Sequence, residues 1–177
     1  MKLIEVLNAV SMIFSLFAWR KHRRSRSKLK SLMLLHIPIS FTFHLLRSFT
    51  NARVVNVFFK MDILCIHASS IISSIENSPA KLPIIPFVFI PFHIYSFIKP
   101  WNKKLRCGLI VLNNANVIRK CKIINIRDGS IALICYLSPG IGHPIFHLFL
   151  YNVYDNYFTM RLPPSCGIQA RSPDSYV

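Results

Sequence analysis

Seven cations and no acid occupy the run Arg20–Lys30 (RKHRRSRSKLK), and an apolar stretch lies on each side of it, Leu3–Trp19 before and Ser31–Leu46 after. A chain built this way must keep the cations in water or against anions while both neighbours leave water. A membrane surface satisfies the two demands together, with the basic run on the cytoplasmic face.

Composition supports that reading. Hydrophobic residues make up 53% and charged residues 16% of 177 residues, against roughly 25% charged in an ordinary globular domain. The net charge of +16 points to nucleic acid or anionic lipid. The long apolar runs favour lipid, because a soluble basic binder needs a charged face over a compact core. Cys65, Cys107, Cys121, Cys135 and Cys166 are thinly spread, with no C-x-x-C, so neither a disulfide framework nor a zinc ribbon is expected. The abundance of Ile, Phe, Asn and Lys also resembles, in style alone, the translation of an AT-rich open reading frame without a selected product.

Along the chain, residues 1–19 read as an apolar anchor, interrupted by Glu5, Asn8, Ser11 and Ser15. As a helix, Leu3–Trp19 spans about 26 Å, a little under the roughly 30 Å hydrocarbon core. Cations follow it and no small-x-small site ends it, so insertion without cleavage is expected. Residues 20–30 form the polybasic loop and 31–98 a set of apolar segments. Pro38 is expected to kink Ser31–Leu46. In Val54–Ile75, Lys60 and Asp62 cost roughly 5–7 kcal/mol on insertion scales, about what the apolar residues return, which leaves this segment outside the bilayer. The uncharged, Pro-rich stretch at 82–98 is expected to cross, with Lys99, Trp101, Lys103 and Lys104 as an interfacial anchor.

Residues 99–129 read as a basic loop or short strands. The β-branched runs and the Asp128-Gly129 turn signal suggest a short β-meander at 107–137. Residues 130–154 read as a last apolar span interrupted by Pro and Gly, and 155–177 as an exposed tail. Four spans, Leu3–Trp19, Ser31–Leu46, Leu82–Ile98 and Ser130–Tyr154, then place fifteen of the 22 Lys/Arg on the cytoplasmic side.

Chemistry-bearing residues form no complete set. His143 and His147 are four apart, and Pro144 favours a helix start, so both rings share one face. A metal site needs another ligand, and no nearby acid or Cys supplies it. Cys65 and His67 lack the third group that would orient a thiol–imidazole pair. The six acids are scattered, and the Pro139–Pro144 turn is not a phosphate loop.

The expectation is a mainly α, small integral membrane protein with about two to four transmembrane helices, or else a poorly folded chain. It carries no catalytic, cofactor or metal residues and is non-enzymatic by default. Its partners are the lipid bilayer and, through Arg20–Lys30, anionic lipid head groups; nucleic acid is the soluble alternative.

Overall fold

The computed structural model describes residues 2–23, 27–50, 52–77, 85–100, 102–120, 123–138 and 140–161. Among them every element is helical: α1 (Leu3–Met12), α2 (Phe14–Lys21), α3 (Lys28–Phe49), α4 (Arg53–Asn77), α5 (Ile85–Val88), α6 (Ile90–Ile98), α7 (Lys103–Asn113), α8 (Ala115–Lys120), α9 (Ile123–Leu137) and α10 (Gly142–Arg161). This is a small, mainly α-helical membrane protein. Three apolar helices are long enough to cross a bilayer: Leu3–Lys21, which is α1 and α2 taken together, Lys28–Phe49 and Arg53–Asn77. Their 19, 22 and 25 residues correspond to about 28, 33 and 37 Å of helix.

The packing explains why these helices suit lipid. On α1 and α2, Glu5, Asn8, Ser11 and Ser15 are buried, whereas Leu3, Leu7, Val10, Phe14 and Phe17 face outward. On α3, His36, Ser40, His44 and Ser48 are buried at four-residue spacing, with Leu34 and Leu35 outside. On α4 the buried set includes Asp62, His67, Ser70, Ser73 and Ser74, and Val57, Met61 and Leu64 are exposed. Polar groups can enter a span only where neighbouring helices satisfy them, so they turn inward and the aliphatic face meets lipid. An apolar cluster of Met12, Ala18, Leu29, Met33, Ile37, Val117, Tyr154, Tyr157 and Phe158 fills the interior beside them.

The antiparallel pair α3–α4 is pinned by His36 Nε2 and Asp62 Oδ1 at 3.0 Å. Near the turn between them, Ser48 caps back onto the Leu45 carbonyl. α10 lies against α1 and α2 and runs parallel to them: His147 meets Ser11, and Asp155 meets Lys21 and His22.

Three expectations change. Val54–Ile75 lies within α4, a candidate span, because Asp62 and His67 are turned into the bundle and do not face lipid. Among the described residues, neither Leu82–Ile98 nor Ser130–Tyr154 holds a single helix long and apolar enough to cross. Pro86–Ile98 is a shorter apolar helix, and 130–154 divides into α9 and α10 at Gly140, whose φ is +66°. The short β-meander at 107–137 is replaced by α7, α8 and α9. There, Arg106, Leu109, Asn113 and Val117 are buried at helical spacing, as are Asp128, Ala132 and Tyr136 on α9. The burial these faces gain outweighs the weak β-propensity of single residues. α3 continues through Pro38 without a break. The exposed tail expected at 155–177 lies outside the described residues beyond Arg161; up to there it continues α10, with Tyr157 and Phe158 buried.

Candidate metal centre

α10 starts at a tight corner. Gly140 takes the left-handed backbone region, and a side chain on Gly142 would meet the Cys135 carbonyl oxygen and Ser138 Cβ at 2.7 Å. Glycine permits both the turn and the close approach. The corner delivers His143 and His147 on consecutive turns of α10, with ring centroids 4.7 Å apart. His44, from the second half of α3, completes the group, its ring 5.0 Å from that of His143 and 5.6 Å from that of His147. One ligand atom from each of the three lies within 4.8 Å of the others.

Hydrogen bonds fix which nitrogens face one another. His44 Nδ1 lies 2.9 Å from Glu5 Oε2. A carboxylate only accepts, so Nδ1 carries a hydrogen and Nε2 is the nitrogen turned toward the other two rings. His147 Nδ1 lies 3.1 Å from the Asn8 carbonyl oxygen and 2.8 Å from Ser11 Oγ. The hydroxyl of Ser11 itself donates to the Asn8 carbonyl at 2.8 Å, so His147 Nδ1 is again the protonated nitrogen. His143 Nε2 is 3.3 Å from His44 Nε2, and its inaccessible Nδ1 has no hydrogen-bond partner. Two imidazole nitrogens bound to one tetrahedral ion at about 2.0–2.1 Å stand about 3.3 Å apart.

The surroundings are polar and tied down. Arg47 Nε pairs with Glu5 Oε1 at 3.2 Å, and Asn8 Nδ2 donates to Glu5 Oε2 at 3.2 Å. Tyr136 lies against the His143 ring at 5.7 Å. Arg106, only 1% exposed, donates from Nε to the Tyr136 hydroxyl and from a terminal nitrogen to the Pro100 carbonyl, each at 2.6 Å. Burial pushes the Tyr136 phenol up to about 12. Burial, followed by the neighbouring Arg106, lowers the pKa of Lys103.

The structure brings the His143–His147 pair together with His44, which the sequence alone does not single out. His44 and His143 are 99 residues apart, and no local pattern links them. A usable signal was present in α1, where Glu5, Asn8 and Ser11 recur every three residues on one helical face. Cys65 is buried and free, while His67 turns to His93, Nδ1 to Nδ1 at 2.8 Å. In the polybasic run, Lys21 and His22 bond Asp155 and Lys30 bonds the His22 carbonyl; residues 24–26 lie outside the described residues.

Half of the chain, 98 residues, is 33% identical to lathosterol oxidase of Mus musculus. That similarity covers 31% of the mouse protein, so the chain spans about a third of the length of this curated relative. No family model and no solved structure matches. The similarity is to an enzyme, whereas the residues read alone suggested no catalytic role.

Proposed function

We propose that this membrane protein binds a transition-metal ion through His44, His143 and His147, and that the centre serves oxidation of an apolar, sterol-like substrate. The observation that carries the reading is the convergence of the three ligand atoms within 4.8 Å. Three imidazoles suit zinc, copper, iron or nickel, and leave coordination positions open. Similarity to a protein named as an oxidase favours an ion that changes valence, iron or copper, over zinc. The same name supplies the substrate class.

The test is metal content and turnover of the full chain purified in detergent. Wild-type protein reconstituted with ferrous or cuprous ion should retain about one ion per chain and, with dioxygen supplied as the oxidant that is reduced to peroxide, take two hydrogens from lathosterol; His44→Ala and His143→Ala should do neither. Equal retention by wild type and both variants would remove the metal reading. Retention without turnover would remove the substrate.

Arg20–Lys30 supports a further part of the proposal, attraction to anionic lipid head groups at about 1 kcal/mol per cation near the surface. A peptide covering the run should pellet with acidic vesicles, and added salt should release it. Equal binding to neutral vesicles would overturn this.

A further inference from the structure

We infer that Glu5 is a positioning residue for His44, holding the ring so that Nε2 and not Nδ1 is offered to the metal. The inference rests on the metal-binding reading above and goes beyond it, because it assigns work to α1, which contributes no ligand. Four observations converge. Glu5 is buried, at 6% exposure. Its Oε2 accepts from His44 Nδ1 at 2.9 Å. Arg47 holds Oε1 at 3.2 Å, and Asn8 donates to Oε2 at 3.2 Å. The next turns of the same helix treat His147 alike, through the Asn8 carbonyl and Ser11 Oγ on Nδ1.

Without such a partner a neutral imidazole exchanges its two tautomers, and each visit to the wrong one removes the lone pair from the ion. A carboxylate on Nδ1 excludes that state and keeps the Nε2 lone pair directed at the ion. Arg47 sits one turn after His44 on α3, so the helix that supplies the ligand also clamps the carboxylate that orients it. A carboxylate in a membrane-spanning helix is expensive, and the three bonds just named compensate for it where the ligand needs it.

Cobaltous ion, whose visible absorption reports ligand geometry, is the probe, titrated into the full chain in detergent. Loss of an orienting partner of this kind typically lowers metal affinity 10–100-fold. Glu5→Gln can still accept from Nδ1 and should fall near the lower bound. Glu5→Ala should fall near the upper bound and alter the absorption envelope. Asp155→Asn, which removes a carboxylate bonded to His22 and Lys21, should leave affinity and spectrum at wild-type values. If wild type shows no cobalt band, the centre itself is wrong and the inference falls with it. If wild type binds and Glu5→Gln and Glu5→Ala match it in affinity and spectrum, the centre stands and the role of Glu5 is overturned. A loss of affinity in Asp155→Asn equal to that in Glu5→Gln would also overturn it, by showing a general loss of structure.

Discussion

His44 Nε2 and His143 Nε2 approach to 3.3 Å across 99 residues of chain, and that approach joins α3 to the start of α10. An ion held there binds the folded state alone, so it should stabilise the protein. At a free concentration 100 times its dissociation constant the gain is about 2.7 kcal/mol. Thermal unfolding of wild type in detergent should therefore move up with added metal and back with chelator. His143→Ala should show neither shift, and an equal shift in that variant would count against the centre.

The corner before His143 is expected to be intolerant of a single methyl group. Gly142→Ala brings a Cβ to 2.7 Å from a backbone oxygen, which forces α9 and α10 apart at a cost of about 1–3 kcal/mol. Gly140→Ala meets no neighbour but must hold a positive φ, at roughly 1–2 kcal/mol. The two variants should differ in metal affinity more than in melting temperature, with Gly142→Ala the weaker binder. Matching affinities would show that the corner does not place His143.

Asp62 and His36 form a buried pair at 3.0 Å inside the α3–α4 hairpin. Asp62→Ala strands His36 and is expected to cost about 3–5 kcal/mol, while the double change Asp62→Leu with His36→Leu should come close to neutral. Denaturation of both in the same detergent checks this; a double variant as unstable as the single would contradict it.

Alkali should reveal Tyr136. Burial raises the folded-state phenol to about 12, against about 10 in an unfolded chain. The folded state therefore holds the proton more tightly. Its contribution is complete below pH 10 and is lost as pH rises from 10 through 12. Tyr136→Phe should lose stability less steeply than wild type across that interval, and parallel curves would contradict the assignment.

The three candidate spans among the described residues predict the sides of the two connections flanking α3. With α3 crossing once, a cysteine at Lys28 and one at Ala52 should react with a membrane-impermeant reagent from opposite faces of sealed vesicles, in chains lacking the native cysteines. Labelling of both from one face would overturn the three-span arrangement.

These residues also show how far the sequence could be read. The membrane class was legible because apolar length and a one-sided basic run act locally. The common face of His143 and His147 was legible because it follows from helical period. Val54–Ile75 is not left outside as expected, because the insertion costs count Asp62 as facing lipid whereas its partner, His36, lies in another helix. His44 was passed over for a related reason. The four-residue spacing of His36, Ser40, His44 and Ser48 marks the inward face of α3, but not that α10 brings His143 to it. The β-branched runs of 107–137 misled because propensity is weak where buried faces decide.

The polar face of α1 carries a consequence for how the protein is made. α1 is synthesised before each of the helices that satisfy it. Ser11 and His147 are 136 residues apart, which at about 5–20 residues per second is roughly 7–27 s of translation. Glu5 waits about 2–8 s for His44, which follows it by 39 residues, and Ser11 waits the whole interval for His147. The polar face of α1 is therefore completed in two stages, first by α3 and last by α10, so its final hydrogen bonds depend on the end of the described chain and not on its neighbour in sequence.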